Sequence, residues 1–249
     1  VLFQEPPRTN YDVNFTLFGT PVRIHPFFWL VGLLLGGPQM GAKTALIWIA
    51  ASFISILIHE LGHVLAFNYY GTAAHVVLHG FGGLAIPNSQ YGRRDPRAQI
   101  VISLAGPFAG FALAGIILLG LKLSGTYMEI SFGLPELIDV RYENLASPSL
   151  DMLIWALLEF NIYWGLVNLA PIYPLDGGQV SASLFQMYDY RDGFRKALML
   201  SMGAAILVGL YFVMNTHNST FGLVFFGYLA YQNYVTLQML NGRYPGSPW

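Results

Sequence analysis

The 249-residue chain contains no cysteine, which excludes a disulfide framework, a thiolate metal site and a thiol nucleophile. Charge is scarce as well. Only 10% of the residues are Asp, Glu, Lys or Arg and the net charge is −1, against roughly 25% charged residues in an ordinary soluble domain. Nothing in that balance points to nucleic acid as a partner. The N-terminus lacks the charged region, short apolar stretch and cleavage site of a signal peptide, so the first span is expected to direct insertion. No periodic repeat and no segment large enough for an independent soluble domain is visible. Hydrophobic residues make up 55% of the chain and the mean hydropathy is +0.51. The composition is that of a polytopic protein partnered by a lipid bilayer, either a bacterial or archaeal cell membrane or an organelle membrane.

A membrane span needs about 20 mostly apolar residues, and six runs qualify as candidates: 26–37, 44–70, 98–121, 151–170, 197–214 and 220–239. The predicted fold class is therefore all-α and polytopic, a single membrane-embedded domain over 1–249 with a tail at 1–14. Val1-Leu2-Phe3-Gln4 resembles part of a tag-removal protease site and carries no weight in the fold. Between the second and third runs, β-branched residues and glycines from His75 to Pro87 read as a short membrane-associated hairpin. The segment Phe15 to Ile24, around Gly19-Thr20-Pro21, reads similarly. With six spans, nine Lys and Arg fall on one side (Arg8, Arg23, Arg93, Arg94, Arg97, Arg191, Arg195, Lys196, Arg243) and three on the other (Lys43, Lys122, Arg141). That bias places both termini in the cytoplasm and the acidic loop with Glu129, Glu136, Asp139 and Glu143 outside.

Ionisable side chains are costly inside an apolar run and call for a function. The second run contains His59-Glu60-Leu61-Gly62-His63. In H-E-x-x-H on a helix, imidazoles at i and i+4 share a face and can hold one zinc, while the glutamate is placed to act as a base. Ser52, Ser55, His59 and His63 share one stripe, as a wet face would. At 1.5 Å per residue His59 lies roughly 24 Å along the helix from Lys43, near the cytoplasmic side of the core.

A catalytic zinc normally takes three protein ligands. Glu159 and Asp176 are the carboxylates available at membrane depth. Asp176 follows Asn168-Leu169-Ala170-Pro171-Ile172-Tyr173-Pro174-Leu175 and precedes Gly177-Gly178, a stretch that breaks the helix and lets backbone line a cavity. It arrives at the depth of the histidines, whereas Glu159, 17 residues earlier, would lie roughly 25 Å away on a continuous helix. Glu159 is assigned a structural role.

The pairing of His-Glu-Leu-Gly-His with Asn-x-x-Pro and Pro-Leu-Asp-Gly-Gly resembles the site-2 proteases, intramembrane zinc metalloproteases that cut transmembrane segments of other proteins. The resemblance extends through Gly82-Gly83 and Ala105-Gly106-Pro107, over about residues 15 to 190. It implies one catalytic zinc ion held by His59, His63 and Asp176, a general base at Glu60, and substrate contacts from Asn168, Gly82 and Gly83. One position departs: the family's Asn-x-x-Pro-x-Pro-x-x-Asp-Gly has proline where this chain has Tyr173, with Pro174 following. The implied partner is a membrane protein with a transmembrane segment. Its selection is expected to rest on the spans, the hairpin, the acidic loop or a separate regulatory protein.

Other features receive structural assignments. Gly106 and Gly110 form a G-x-x-x-G assigned to helix packing, and His25, His75 and His79 are read as interfacial or hydrogen-bonding. The competing readings are a prenyl-protein protease, a transporter, a catalytically idle metal-binding protein, and a satisfied polar seam between helices.

Overall fold

The computed structural model describes residues 5–35, 41–80, 82–88, 95–133, 137–143, 145, 147–215 and 219–242. Several features named above lie outside these residues: Val1 to Gln4, the last two residues of the run 26–37, Arg93, Arg94, Glu136 and Arg243. Helices dominate. The order is β1 (Val13–Leu17), β2 (Thr20–Ile24), α1 (Pro26–Leu35), α2 (Ala42–Tyr69), β3 (Ala74–His79), β4 (Gly82–Pro87) and α3 (Pro96–Leu123). There follow β5 (Met128–Gly133), β6 (Leu137–Tyr142), α4 (Pro148–Glu159), a π-helical turn (Phe160–Trp164), α5 (Gly165–Asn168), α6 (Asp176–Tyr188), α7 (Gly193–Asn215) and α8 (Ser219–Leu240).

Among the described residues, four helical stretches are long and apolar enough to cross a membrane: Ala42–Tyr69, Pro96–Leu123, Pro148–Asn168 and Gly193–Met214. The ten residues of α1 rise only about 15 Å, half the thickness of a hydrocarbon core. Helix α8 has 22 residues, but Gln232, Asn233, Thr236 and Gln238 dilute its apolar character. The chain forms two compact units, residues 1–92 with 105–167 and residues 93–104 with 168–249.

In the first unit four strands form a sheet in the order β1-β2-β3-β4. Phe18 and Gly19 both have positive φ, 49° and 78°, as a two-residue hairpin turn between β1 and β2 requires. Strands β3 and β4 pair antiparallel from Ala74↔Pro87 to His79↔Gly82. Strand β2 runs parallel to β3 (Val22↔Val76, Ile24↔Leu78), so the connection between them, made by α1 and α2, is a crossover. The buried Arg23 guanidinium donates to Asp12 at 2.9 Å and to Glu5 at 2.8 Å, which satisfies a charge that burial would otherwise penalise. Helix α1 lies antiparallel on α2. The Phe28 and Phe53 rings are 6.3 Å apart, and one turn further on, a Cβ at Gly32 would sit 3.6 Å from Ile49 Cγ1.

Also in this unit, the loop predicted only as acidic contains the antiparallel hairpin β5–β6, paired from Met128↔Tyr142 to Gly133↔Leu137. The fourth apolar run is not one continuous α-helix. The π turn interrupts it, and there the buried Asn161 donates to Ser55 Oγ of α2 at 2.8 Å and to Leu157 O at 2.7 Å.

In the second unit α7 and α8 form an antiparallel helical hairpin. The Phe212 and Phe226 rings are 5.4 Å apart, and Arg195 donates to Leu240 O at 3.2 Å, so the start of α7 meets the end of α8. Helix α6, absent from the sequence reading, begins at Asp176. It starts there because Pro171 and Pro174 prevent helix before it.

Candidate metal centre

His59, Glu60 and His63 lie more than halfway along α2 and are all buried. The histidine Nε2 atoms are 3.2 Å apart, with ring planes at 78°. Two nitrogen ligands of a tetrahedral zinc with bonds of about 2.05 Å would be separated by about 3.3 Å. The ligand atoms of His59, Glu60 and His63 fall within 4.8 Å of one another.

The surroundings are shaped to leave these atoms room. A Cβ at Gly106 of α3 would stand 2.8 Å from His59 Nε2, and closer still to His63 Nε2. Any side chain at 106 would therefore fill the point where both imidazoles converge. A Cβ at Gly83 of β4 would press on Glu60, 2.6 Å from both Cδ and Oε1. Gly62 lets the two helix backbones approach, since its Cβ would lie 2.5 Å from Ala105 O. Two imidazoles directed to one place, a carboxylate beside them and a glycine opposite fit a zinc ion. Gly106 was missed as a site residue because a glycine in an apolar helix reads as packing; its nearness in sequence to Pro107 was the available signal. Gly110 keeps the packing assignment, as its Cβ would be 3.3 Å from Asn161 Oδ1.

The remaining predicted site residues are distributed as follows. Gly82, with φ of 129°, opens β4, and Gly83 follows it at the edge of the sheet. Asn168 ends α5 and Asp176 begins α6, both buried and both in the second unit. Gly177 and Gly178 have no room for a Cβ: Ala170 O and Ile172 O would each stand 2.5 Å away. The turn before Asp176 can fold this tightly against α6 only with glycine at both positions. Glu159 closes α4, and the group of three holds neither Glu159 nor Asp176.

The other histidines have local roles. His25 Nδ1 accepts from Phe27 N at 3.2 Å at the start of α1, and His75 Nδ1 meets Asn88 Oδ1 at 3.0 Å. Burial, with the charges of His25 and Arg23, pushes His79 down to about 4, so it is neutral near pH 7.

The description of Peptidase family M50 matches residues 47–210, a stretch that includes the whole His59–His63 segment and Asp176. The chain belongs to Peptidase family M50. Among curated relatives of this family member, a zinc metalloprotease of Methanocaldococcus jannaschii is 25% identical over 209 residues, covering 81% of this chain and 54% of that protein. Stage IV sporulation protein FB of Bacillus subtilis is 24% identical over 235 residues, covering 90% of this chain and 72% of that protein. The chain thus spans little more than half the length of the archaeal relative. The solved structure of a site-2 protease from Methanocaldococcus jannaschii shares the fold, with a TM-score of 0.51 at 21% identity, covering 91% of this chain and 92% of that one. With four apolar helices and this family membership, the chain is an integral membrane protein.

Proposed function

We propose that this M50 protein is a zinc-dependent intramembrane endopeptidase that hydrolyses a peptide bond in or near the transmembrane segment of another membrane protein. The observation that carries the proposal is the buried pair of Nε2 atoms 3.2 Å apart, with Glu60 beside them, inside a 28-residue apolar helix. His59, His63 and Asp176 are the ligands in this reading, and the two units work as one metalloprotease domain. Support for Asp176 comes from its burial and from the tight turn that precedes it. When bound, zinc supplies Lewis acidity, making water acidic near neutral pH and polarising a carbonyl. Glu60 accepts the proton of the attacking water and passes it to the leaving amine. Asn168, whose amide both donates and accepts, holds substrate backbone or the developing oxyanion.

A helical substrate must unwind before its peptide bonds can be reached, and it then needs new hydrogen-bond partners. Strand β4 ends the order of its sheet, so its outer edge suits strand addition. Gly83 keeps the strand free of bulk beside Glu60, and Gly82 does so on the opposite face, toward Trp164. Substrate choice then rests on this edge, the spans, the β5–β6 hairpin or a separate regulatory protein.

The proposal includes six crossings with both termini cytoplasmic. Parallel pairing of β2 and β3 in one sheet supports α1 and α2 returning the chain to the side it left. The contact of Arg195 with Leu240 O likewise supports a return crossing by α8.

Purified protein and its Glu60→Gln variant should bind zinc equally, measured by metal content after dialysis, while only the former cleaves a membrane-embedded substrate. Equal cleavage by both would refute the mechanism.

A further inference from the structure

Within the second unit, the segment Leu169–Leu175 leads into Asp176. Some of its backbone groups are satisfied locally: Ile172 N donates to Ala170 O at 2.7 Å and Leu175 N to Ile172 O at 2.8 Å. Tyr173 is different. Its N–H donates to Ser201 Oγ of α7 at 3.0 Å, and its carbonyl accepts from Asn233 Nδ2 of α8. Both groups of one peptide residue, three positions before Asp176, are held by side chains from the last two helices.

Those two side chains are themselves fixed. Ser201 gives its own hydroxyl proton to Ala197 O at 2.8 Å, which leaves an oxygen lone pair for the Tyr173 N–H. Asn233 spends its other amide hydrogen on Leu229 O at 2.8 Å. Ser201 is 0% exposed and Asn233 1%. Polar groups so deeply buried in apolar helices are costly unless paired. A second tether acts one residue on, where Gln179 donates to Pro174 O at 3.2 Å and is itself held by Gln99 at 2.8 Å. The clamp also needs an N–H at position 173, which tyrosine supplies and proline cannot.

We infer that Ser201 and Asn233 are positioning residues for the Asp176 carboxylate, acting through the backbone of Tyr173, and that the α7–α8 hairpin is part of the metal-binding apparatus. The inference rests on Asp176 being a zinc ligand. Outer partners of ligands commonly carry about 10- to 100-fold in metal affinity, and a loop pinned at both peptide groups restricts the direction in which the first turn of α6 presents its carboxylate. Asn233 also lies beyond residues 47–210, so the family match alone does not assign it.

The test uses the full-length protein in lipid nanodiscs and measures zinc affinity by chelator competition, together with the visible absorption of the cobalt-substituted form. Ser201→Ala, Tyr173→Pro and the near-isosteric Asn233→Asp should each weaken zinc by about 10- to 100-fold and alter the cobalt bands, while Ser201→Thr, which keeps the hydroxyl, restores both. Ser201→Ala should add nothing to Tyr173→Pro, because the bond is already absent. In an Asp176→Ala background none of these changes should lower the residual affinity further. Unchanged affinity and cobalt bands in Ser201→Ala and Asn233→Asp would overturn the inference, as would an equal further loss in the Asp176→Ala background. If Asp176→Ala alone keeps full zinc affinity, it is the ligand assignment that fails, and the positioning role falls with it. Loss of zinc in Asp176→Ala with intact binding in the clamp variants removes the positioning role only.

Discussion

The most demanding residues of the candidate centre are the ones with no side chain. A histidine pair at i and i+4 on a helix brings its two rings together by geometry alone, but only an open space opposite them permits an ion to enter. Gly106 provides that space. Gly106→Ala would set a methyl group 2.8 Å from His59 Nε2, and zinc content after dialysis is expected to fall more than tenfold, the low end of about 10- to 100-fold losses from lesser changes around metal ligands. Gly83 constrains the carboxylate. Gly83→Ala should push Glu60 aside while leaving both histidines in place, so kcat/KM is expected to drop about 100-fold, as for a misplacement near 1 Å, with metal content unchanged. Loss of metal in Gly83→Ala would show that the strand supports the histidines rather than the base.

Elements differ in how openly the sequence declares them. The histidine helix was legible because i, i+4 spacing and an unbroken apolar run coincide, and the break before Asp176 was legible in Pro171, Pro174 and the two glycines. The π turn was not. It adds a residue to a helix with no proline or glycine inside it to announce it, and its partner comes from outside the segment, where Ser55 of α2 accepts from Asn161. The β5–β6 hairpin was passed over for a different reason. Met128, Ile130 and Phe132 alternate with Glu129 and Ser131, and Ile138, Val140 and Tyr142 with Asp139 and Arg141, which is the period of a strand. The acidic residues drew the reading to a solvated loop, while in the fold the apolar side of β6 packs against Leu158 and Ile162.

The β1–β2 hairpin supports a prediction about acid. The Thr9 hydroxyl and Arg23 hold Asp12 at about 2, below its ordinary 3.8. A carboxyl whose folded value is depressed stabilises the fold above its unfolded value, and that contribution drains away as pH falls from about 4 toward 2. Asp12→Asn should cost about 1.5–3 kcal/mol near pH 7, the range for hydrogen bonds to charged groups. It should also flatten the decline between pH 4 and 2 in thermal unfolding followed by circular dichroism. A variant that loses stability in parallel with the parent across that range would show that Asp12 is not the group titrating.

For the whole molecule, the number of crossings decides on which side of the membrane each polar segment lies. If only the four long apolar stretches crossed, the twelve Lys and Arg would divide six against six, with Arg8, Arg23, Lys43, Lys122, Arg141 and Arg243 on one side. Six crossings divide them nine against three, and only an imbalance of that kind fixes an orientation. The parity of the sheet agrees with six. Strands β2 and β3 are hydrogen-bonded neighbours, and His75 meets both Glu5 of the N-terminal tail, at 4.0 Å, and Asn88, at 3.0 Å, so the proposed topology puts Thr9 and Asn88 on one side of the bilayer. The absence of cysteine makes this directly measurable, because a single introduced thiol is the only one present. Thr9→Cys, Asn88→Cys, Asp192→Cys and Asn241→Cys should react with a membrane-impermeant maleimide in inverted vesicles and be protected in sealed cells, whereas Glu129→Cys should show the reverse. Labelling of Asp192→Cys and Asn241→Cys from opposite sides would remove α8 as a crossing helix, and with it the cytoplasmic C-terminus.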